Sequence, residues 1–333
     1  MLPLALSACL SSGTESAGPA DGFDAISAAA KSEGTVTWYT TIPQQVATAA
    51  AEGFTKEYGL KVDMIVLNSG TLTTRFSKEM DSGSSPADVV TMADPVFFSD
   101  AVKQGWVAKF RPKDTPSLQP WPTSAVRENA YALVNIQPVG VTINTKVVNE
   151  QELRKQSWKY LLNPSLKDRI YLVDPENVQT WLAHMKLLRD TYGGDFLRQL
   201  GRQQPKIVDS AVPGGQQLAA GSGALVYPGL LSVSNPLQAK GAPLKTVFLN
   251  PTTGVPQYAA LSSRAPHPNI ARLFLNYLLT ERAQKIINAK TGSSPLGDLA
   301  GTVPLPPGYV PPDQLIPAAV RQKSEIMSEL GLK

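Results

Sequence analysis

Short β-branched or aromatic segments alternate with segments of helical periodicity along the first third of the chain. Strands are predicted at residues 36–40, 61–67 and 87–92, and apolar side chains recur at helical spacing in residues 44–58 and 71–80. Asp94 followed by Pro95 is typical of a further helix start. Strands separated by helices imply right-handed crossovers and a mostly parallel sheet that is covered on both faces.

A second series of the same kind follows. Its predicted elements are strands at 139–142, 169–173, 207–208, 224–227 and 246–249 and helices at 178–188, 268–279 and 281–289. No Pro/Gly-rich linker separates the two series. We therefore expect an α/β protein with two lobes of similar size, joined by strands that cross between them.

Composition narrows the class of partner. The chain has 333 residues, of which 42% are hydrophobic and 17% charged, as in an ordinary globular protein of about two domains. The net charge of +4 comes from scattered Lys and Arg without a basic run, which argues against nucleic acid. No segment approaches the roughly 18 apolar residues of a membrane span, so we expect membrane contact only through an anchor.

That anchor is predicted at the N-terminus. Residues 6–9 (Leu-Ser-Ala-Cys) have the form of a bacterial lipobox, and Cys9 is the single cysteine, so lipidation is expected there and no intramolecular disulfide can form. Residues 1–8 lack a cationic start, which suggests that the signal begins further upstream or has been trimmed. We interpret residues 1–33 as a signal remnant and flexible leash of an extracytoplasmic protein.

Small polar residues and glycines follow nearly every predicted strand. In parallel sheets ligands bind beyond the carboxyl ends of the strands, where free N–H groups of helix N-termini attract anions. Each Ser, Thr, Asn or Asp has the alternative role of an N-cap. The candidate ligand-binding residues are Thr40, Thr41, Ser69, Gly70, Thr71 and Asp94 in the first lobe and Asn177, Ser210, Gly214, Gln216 and Tyr227 in the second.

These candidates have different expected roles. Backbone N–H groups of residues 70–71 and 214–216 would hold an anionic group, and Tyr227 would cover the rest of the ligand. Asp94 would suit an ammonium or hydroxyl group.

Catalysis finds no support in the sequence. There is no G-x-S-x-G elbow, P-loop or C-x-x-C motif, and His184 and His267 lie far apart, His184 on a helix surface or in the core. Ser69 beside Gly70 is the best candidate nucleophile, without a paired base. We therefore expect no enzyme, no catalytic residue and no cofactor.

Several segments carry a family resemblance. GTVTWYTT, LNSGTLTTRF, SPADVVTMADP, VGVTINTKVV, VDSAVPGGQQLAAGSGALVYPG and APHPNIARLFLNYLL resemble, in this order, the solute-binding proteins of bacterial ABC importers, in the branch of the ferric-ion-binding proteins. The likeness covers roughly residues 34–296. It implies a two-lobed type II periplasmic-binding-protein fold, a monomer that closes over a small ligand and docks on permease subunits.

The resemblance also implies lobe boundaries and two crossings. Lobe 1 is expected at 34–134 plus 252–291, lobe 2 at 135–251 plus 292–333, and the crossings near 131–140 and 250–258.

Ligand identity is narrowed by what this chain lacks. Ferric-binding members hold the metal through two adjacent tyrosines, whereas here Pro228 follows Tyr227 and residues 40–45 contain no histidine. We therefore expect no metal and a small polar or anionic solute that carries a phosphate, phosphonate, carboxylate or amine. Ferric ion held by Tyr227 remains the alternative, and a sensor domain or a secreted enzyme remains a competing class.

Overall fold

The first lobe begins with α/β units that pack on one sheet. A computed structural model describes residues 20–332. The first elements in chain order are α1 (Phe23–Glu33), β1 (Thr35–Thr40), α2 (Gln44–Tyr58), β2 (Lys61–Val66), α3 (Ser69–Asp81), β3 (Val89–Met92), α4 (Pro95–Lys103), β4 (Val126–Arg127) and β5 (Tyr131–Pro138).

The chain then crosses into a second lobe, returns, and ends on the second lobe. The second-lobe elements are β6 (Gly140–Asn144), α5 (Glu150–Gln156), β7 (Ile170–Val173), α6 (Gln179–Tyr192), α7 (Gly194–Arg202), β8 (Lys206–Val208), α8 (Ala211–Ala219), β9 (Leu225–Gly229), α9 (Leu231–Ala239) and β10 (Leu244–Val247). Back in the first lobe come β11 (Gly254–Leu261), α10 (Pro268–Leu278) and α11 (Glu281–Ile287). The last helices, α12 (Ile316–Arg321) and α13 (Lys323–Glu329), pack on α6 and α7.

Each lobe has its own sheet. The strand order is β2-β1-β3-β11-β5-β4 in the first lobe and β10-β6-β9-β7-β8 in the second. Strands connected by crossover helices pair in parallel, as β1 does with β2 and β3, and β7 with β8 and β9. The strands that enter or leave a lobe directly (β5, β6, β10 and β11) pair antiparallel, because no crossover helix turns them around. Both sheets are therefore mixed, which corrects the expectation of mostly parallel sheets.

Apolar side chains cover both faces of the first sheet. On one face, Phe274 of α10 packs edge to face on Trp38 of β1, with 5.2 Å between the ring centroids, in a core that α2 also covers. Phe76 and Phe98 belong to a separate core on the other face. The predicted end of α2 is confirmed, since Gly59 adopts a left-handed φ of 70° after the last turn. This layering and the two crossings confirm the expected two-lobed α/β fold class.

A signal remnant and leash were predicted over residues 1–33, and the N-terminal helix α1 corrects this for residues 23–33, whereas residues 1–19 lie outside the described chain. The Ala-rich sequence of α1 favours a helix, and Ile26 and Ala30 are fully buried in the first-lobe core. Glu33 accepts hydrogen bonds from the first backbone N–H groups of α10, at 3.0 Å from Asn269 N and 2.7 Å from Ile270 N. A carboxylate at a helix N-terminus is stabilising, so α1 is fixed to α10 at both its apolar face and its end.

The predicted lipidation site at Cys9 lies outside the described residues. Over residues 20–332, none of the helices has both the length and the hydropathy that a bilayer crossing requires.

Candidate functional site

The crossing points turn the carboxyl edges of both sheets toward each other. Because β3 and β5 both pair antiparallel with β11, β5 ends at the edge where β1, β2 and β3 end. Val139 alone then links β5 to β6, whose first residue, Gly140, pairs with Gly229 at the end of β9. Since β9 is parallel to β7 and β7 to β8, that end of β6 lies at the carboxyl edge of the second sheet. The loops after these strands therefore meet across one interlobe cleft.

On the first-lobe side, several of the predicted residues hold the backbone of their own loops. Thr40 is buried and its Oγ1 accepts a hydrogen bond from Ile42 N at 3.0 Å. Asp94 caps α4 by accepting from Phe97 N at 2.9 Å. Thr41 Oγ1 donates to Gln257 Oε1 at 2.8 Å, which ties the first loop to β11.

The start of α3 lies at the same edge. Asn68 accepts from Thr71 N at 2.9 Å, whereas the N–H groups of Ser69 and Gly70 have no hydrogen-bond partner in the described chain. The first lobe thus presents two free donors at the start of one helix.

On the second-lobe side, the helix starts lack side-chain caps. α6, α8 and α9 each begin just after a strand of the second sheet, and no side chain accepts from their first-turn N–H groups. Asn177 Nδ2 donates to Asp209 O at 2.9 Å and so links the loops before α6 and α8, with Ser210 exposed beside them. Three uncapped helix starts give this edge a positive potential.

Two predicted site residues belong to the core instead. Gly214 is buried where α8 packs on β9, and an added Cβ would lie 2.7 Å from Val226 Cγ2. Tyr227 is 1% exposed, with its ring 5.2 Å from Trp158 and 5.5 Å from His184 between centroids. Burial raises the pKa of the Tyr227 phenol well above its usual value. The close packing of α8 on β9 thus explains the glycine at position 214, and the alternation of side chains along β9 explains why Tyr227 points into the core.

The expected grip of residues 214–216 on an anion is also corrected. α8 begins at Ala211, so the N–H groups of residues 214–216 lie beyond the first turn and bond within the helix. Its free donors belong to Ser210, Ala211 and Val212, because Pro213 has no N–H. Gln216 is exposed further along α8.

A cavity of about 400 Å³ lies at the floor of the cleft, and we call it the floor cavity. It is enclosed by the start of α2 and residues 286–291 of the first lobe, by β5 and β11, and by α9 of the second lobe. Its polar lining residues, apart from Lys290 and Thr291, are Gln45, Asn135, Gln137, Ser232, Asn235 and Gln257. None of these residues was predicted from the sequence; the available signal was Asn135 and Gln137 at alternate positions of β5 and Gln257 in β11, which are polar residues in two otherwise apolar crossing strands.

Side chains from both lobes meet around this cavity. Ser232 Oγ of α9 donates to Gln137 Oε1 at 2.7 Å, and Asn235 Nδ2 donates to the backbone oxygen of Lys290 at 3.0 Å. All the residues that line the floor cavity lie within the described chain, and Lys290 is the one charged residue among them. The cavity therefore offers amides and one cation but no carboxylate.

The two histidines of the described chain lie far apart and away from the cleft edges. His184 is confirmed as a core residue, where burial lowers its pKa to about 3. His267 bonds the buried Asp88 through Nδ1 at 3.0 Å, at the opposite edge of the first sheet from the cleft. Between residues 20 and 332 no three His, Cys, Asp or Glu side chains are grouped so as to hold a metal ion.

Comparison with known families decides the class of this two-lobed arrangement. A family model for bacterial extracellular solute-binding proteins matches residues 37–292. The chain belongs to this family. As an extracellular solute-binding protein it acts outside the cytoplasm, in agreement with the location expected from its N-terminus.

Solved structures confirm the type II fold of this solute-binding protein. A substrate-binding protein of an ABC transporter from Agrobacterium tumefaciens has a TM-score of 0.73 at 17% identity, over 90% of this chain and 96% of that one. Iron-bound HitA from Pseudomonas aeruginosa has a TM-score of 0.67 at 20% identity, over 89% of this chain and 98% of that one. AfuA from Actinobacillus pleuropneumoniae, with fructose-6-phosphate bound, has a TM-score of 0.64 at 21% identity, over 90% of this chain and 100% of that one. At these identities the likeness concerns the fold alone.

Proposed function

We propose that this protein is the solute-binding component of a bacterial ABC importer and captures a small polar or anionic organic solute between its lobes without altering it. The proposal rests on the facing of the two carboxyl edges, which places the starts of three uncapped second-lobe helices across the cleft from the free N–H groups of Ser69 and Gly70. Donors from both lobes suit a phosphate, phosphonate or carboxylate group.

The residues that we propose for this cleft are the predicted ones that lie at its edges. They are Thr41, Ser69, Gly70, Thr71 and Asp94 from the first lobe and Asn177 and Ser210 from the second, whereas Thr40 is fully buried with its hydroxyl accepting from Ile42 N, and Gln216 lies beyond the first turn of α8. The moving units are proposed as the two expected lobes, with α1 added to the first and with all of β5 (Tyr131–Pro138) moving with the first lobe, because β5 pairs with β11 in the first-lobe sheet. Closure would be a hinge motion at the crossings, in which bound solute shifts the population toward the shut form.

Two ligand types occur among the structural neighbours, iron in HitA and fructose-6-phosphate in AfuA. A hard ferric ion prefers anionic oxygen ligands. Tyr227, the one tyrosine of the ferric alternative, is enclosed by Trp158 and His184, and burial disfavours its phenolate. The floor cavity has no carboxylate in its lining. We therefore favour an organic solute over Fe(III).

A thermal-shift panel tests the ligand class. The compounds are phosphorylated sugars, phosphonates, carboxylates, amines, thiamine and Fe(III) with citrate. A solute at a hundredfold excess over its Kd raises the unfolding free energy by about 2.7 kcal/mol. We expect stabilisation by an organic compound and none by Fe(III) with citrate. Stabilisation by Fe(III) with citrate and by no organic compound would favour the ferric alternative.

A matched pair of variants tests the place of binding. Ser69→Trp puts a large side chain at the start of α3 on the cleft edge, whereas Ser82→Trp puts the same side chain at the exposed far end of that helix. The first should abolish the stabilisation and the second should keep it. Equal affinity of both variants would contradict this placement.

The cellular role follows from the proposed class. We propose a monomer, attached through a lipid on Cys9, that delivers its solute to permease subunits and has neither catalytic activity nor a nucleic-acid partner. Deletion of the gene should abolish uptake of the identified solute. A sensor domain would instead leave uptake intact and change a transcriptional response.

A further inference from the structure

One buried acceptor at the floor cavity, Oδ1 of Asn135, has no donor among the described residues, and it indicates the chemistry of the solute. We infer that the solute carries an N–H or O–H donor on a largely apolar body, and that this part enters the floor cavity and donates to Oδ1 of Asn135. The inference rests on the proposed function, because it concerns the solute held in the same cleft.

The orientation of the Asn135 amide is fixed by a chain of buried amides. Gln284 Nε2 donates to Leu278 O at 2.9 Å, so Gln284 Oε1 is left to accept from Asn288 Nδ2 at 3.1 Å. Asn288 Nδ2 also donates to Val134 O at 3.2 Å. Asn288 must therefore present its Oδ1 to Asn135, whose Nδ2 donates to it at 2.8 Å.

The other end of the Asn135 amide has no partner. Flipping it would place two carbonyl oxygens against each other, so Oδ1 must stay on the far side of the group. Asn135 is 4% exposed, lines the floor cavity, and its Oδ1 has no hydrogen-bond donor in the described chain. Buried polar atoms are nearly always satisfied, and an unsatisfied one is costly. A donor brought by the solute would remove that cost.

The rest of the cavity supplies complementary groups. The Nε2 groups of Gln137 and Gln257 have no hydrogen-bond acceptor in the described chain, whereas their Oε1 atoms accept from Ser232 and Thr41. The remaining wall is mostly apolar, with Ile42 and Val46 among its members, and the volume of about 400 Å³ falls in the range of small-molecule sites. The cavity thus fits an apolar body that bears a donor and an acceptor.

Matched pairs of probes test this inference. The pairs are L-leucine with 4-methylpentanoate, L-phenylalanine with 3-phenylpropanoate, and 4-hydroxybutylphosphonate with butylphosphonate. One member of each pair has the donor and the other lacks it. We expect the donor-bearing member of at least one pair to bind at least about tenfold more tightly by calorimetry, since the partner leaves Asn135 Oδ1 unsatisfied.

Variants separate the inference from the proposed function. Asn135→Leu should abolish the difference within the pair. Ala49→Phe fills the cavity from the exposed side of α2 without touching the amide chain and should weaken binding, whereas Ala28→Phe on the exposed face of α1 should not. Equal affinities within every pair, unchanged binding by Ala49→Phe, or no binding of any pair while the wider panel yields a solute would overturn the inference and leave the proposed function standing. A wider panel without any stabilising compound would instead count against the proposed function.

Discussion

The pH dependence of stability should be set in large part by His184. This side chain is 1% exposed and lies between the rings of Trp158 and Tyr227. Burial lowers its pKa from 6.5 to about 3, because the charged imidazolium loses its hydration. Below pH 6.5 the unfolded chain therefore binds a proton that the folded chain does not, so the free energy of unfolding falls as the pH falls.

The magnitude follows from the two pKa values. Between them, each pH unit changes the free energy of unfolding by about 1.36 kcal/mol. From pH 7 to pH 5 the contribution of His184 amounts to about 2 kcal/mol, and it depends little on the folded-state pKa because both pH values lie well above that pKa. At pH 7 and above, this contribution to stability is almost fully present.

Urea unfolding at pH 5, 6 and 7 measures this effect. His184→Leu is the matched variant, since it keeps an apolar side chain between the two rings and cannot titrate. The unfolding free energy of the wild type should fall by about 2 kcal/mol more than that of the variant over this range. Parallel pH profiles of the two proteins would refute the assignment of a neutral buried imidazole.

Four further substitutions test the placement of side chains. Gly214→Val should lower the free energy of unfolding by about 1–3 kcal/mol through overpacking, whereas Gly70→Val, whose Cβ would meet only Asn68 Oδ1 at an ordinary contact distance of 3.8 Å, should change it by less than about 0.5 kcal/mol; similar urea midpoints would contradict this. Tyr227→Phe should leave solute affinity in calorimetry unchanged, and a large loss would return this residue to the site. Glu33→Ala should cost about 1–2 kcal/mol in urea unfolding, because it removes the acceptor for the N–H of Asn269; an unchanged midpoint would show that α1 is held by its apolar face alone.

The sequence predicted the fold well where the signal is local. Period changes locate β1, α2 and the stop at Gly59, and short apolar runs locate β2 and β3, whereas β4 was not predicted and β5 and β11 were expected only as crossings. The helix α1 escaped prediction because a Ser- and Ala-rich segment can form either a leash or a helix. Its contact with α10 decides between them, and that contact spans more than two hundred residues of sequence.

The site was predicted at the level of strand ends and less well at the level of side chains. Topology aims the loops after β1, β2, β3, β7 and β8 at one cleft, as the composition of these loops suggests. Side-chain direction depends on packing: Leu225 and Tyr227 point into one core and Val226 into another, because both faces of β9 are buried. A Cβ at position 214 would lie 2.7 Å from Val226 Cγ2, and this contact, which requires glycine there, is visible only in the folded structure.

The floor cavity could not be predicted from local sequence. Its orienting hydrogen bond joins Asn135 to Asn288, which are 153 residues apart. Neither residue lies in a motif that indicates a ligand, and the polar side chains of β5 become meaningful only once β11 and α11 are in place.

The most direct test of the account is a crystal structure of the protein with the compound that stabilises it most in the thermal-shift panel. We predict that the compound lies between the lobes, with its anionic group on the first turns of α6 or α8 and on α3, and its body toward Asn135. A compound bound on an outer surface, in contact with one lobe alone, would contradict it.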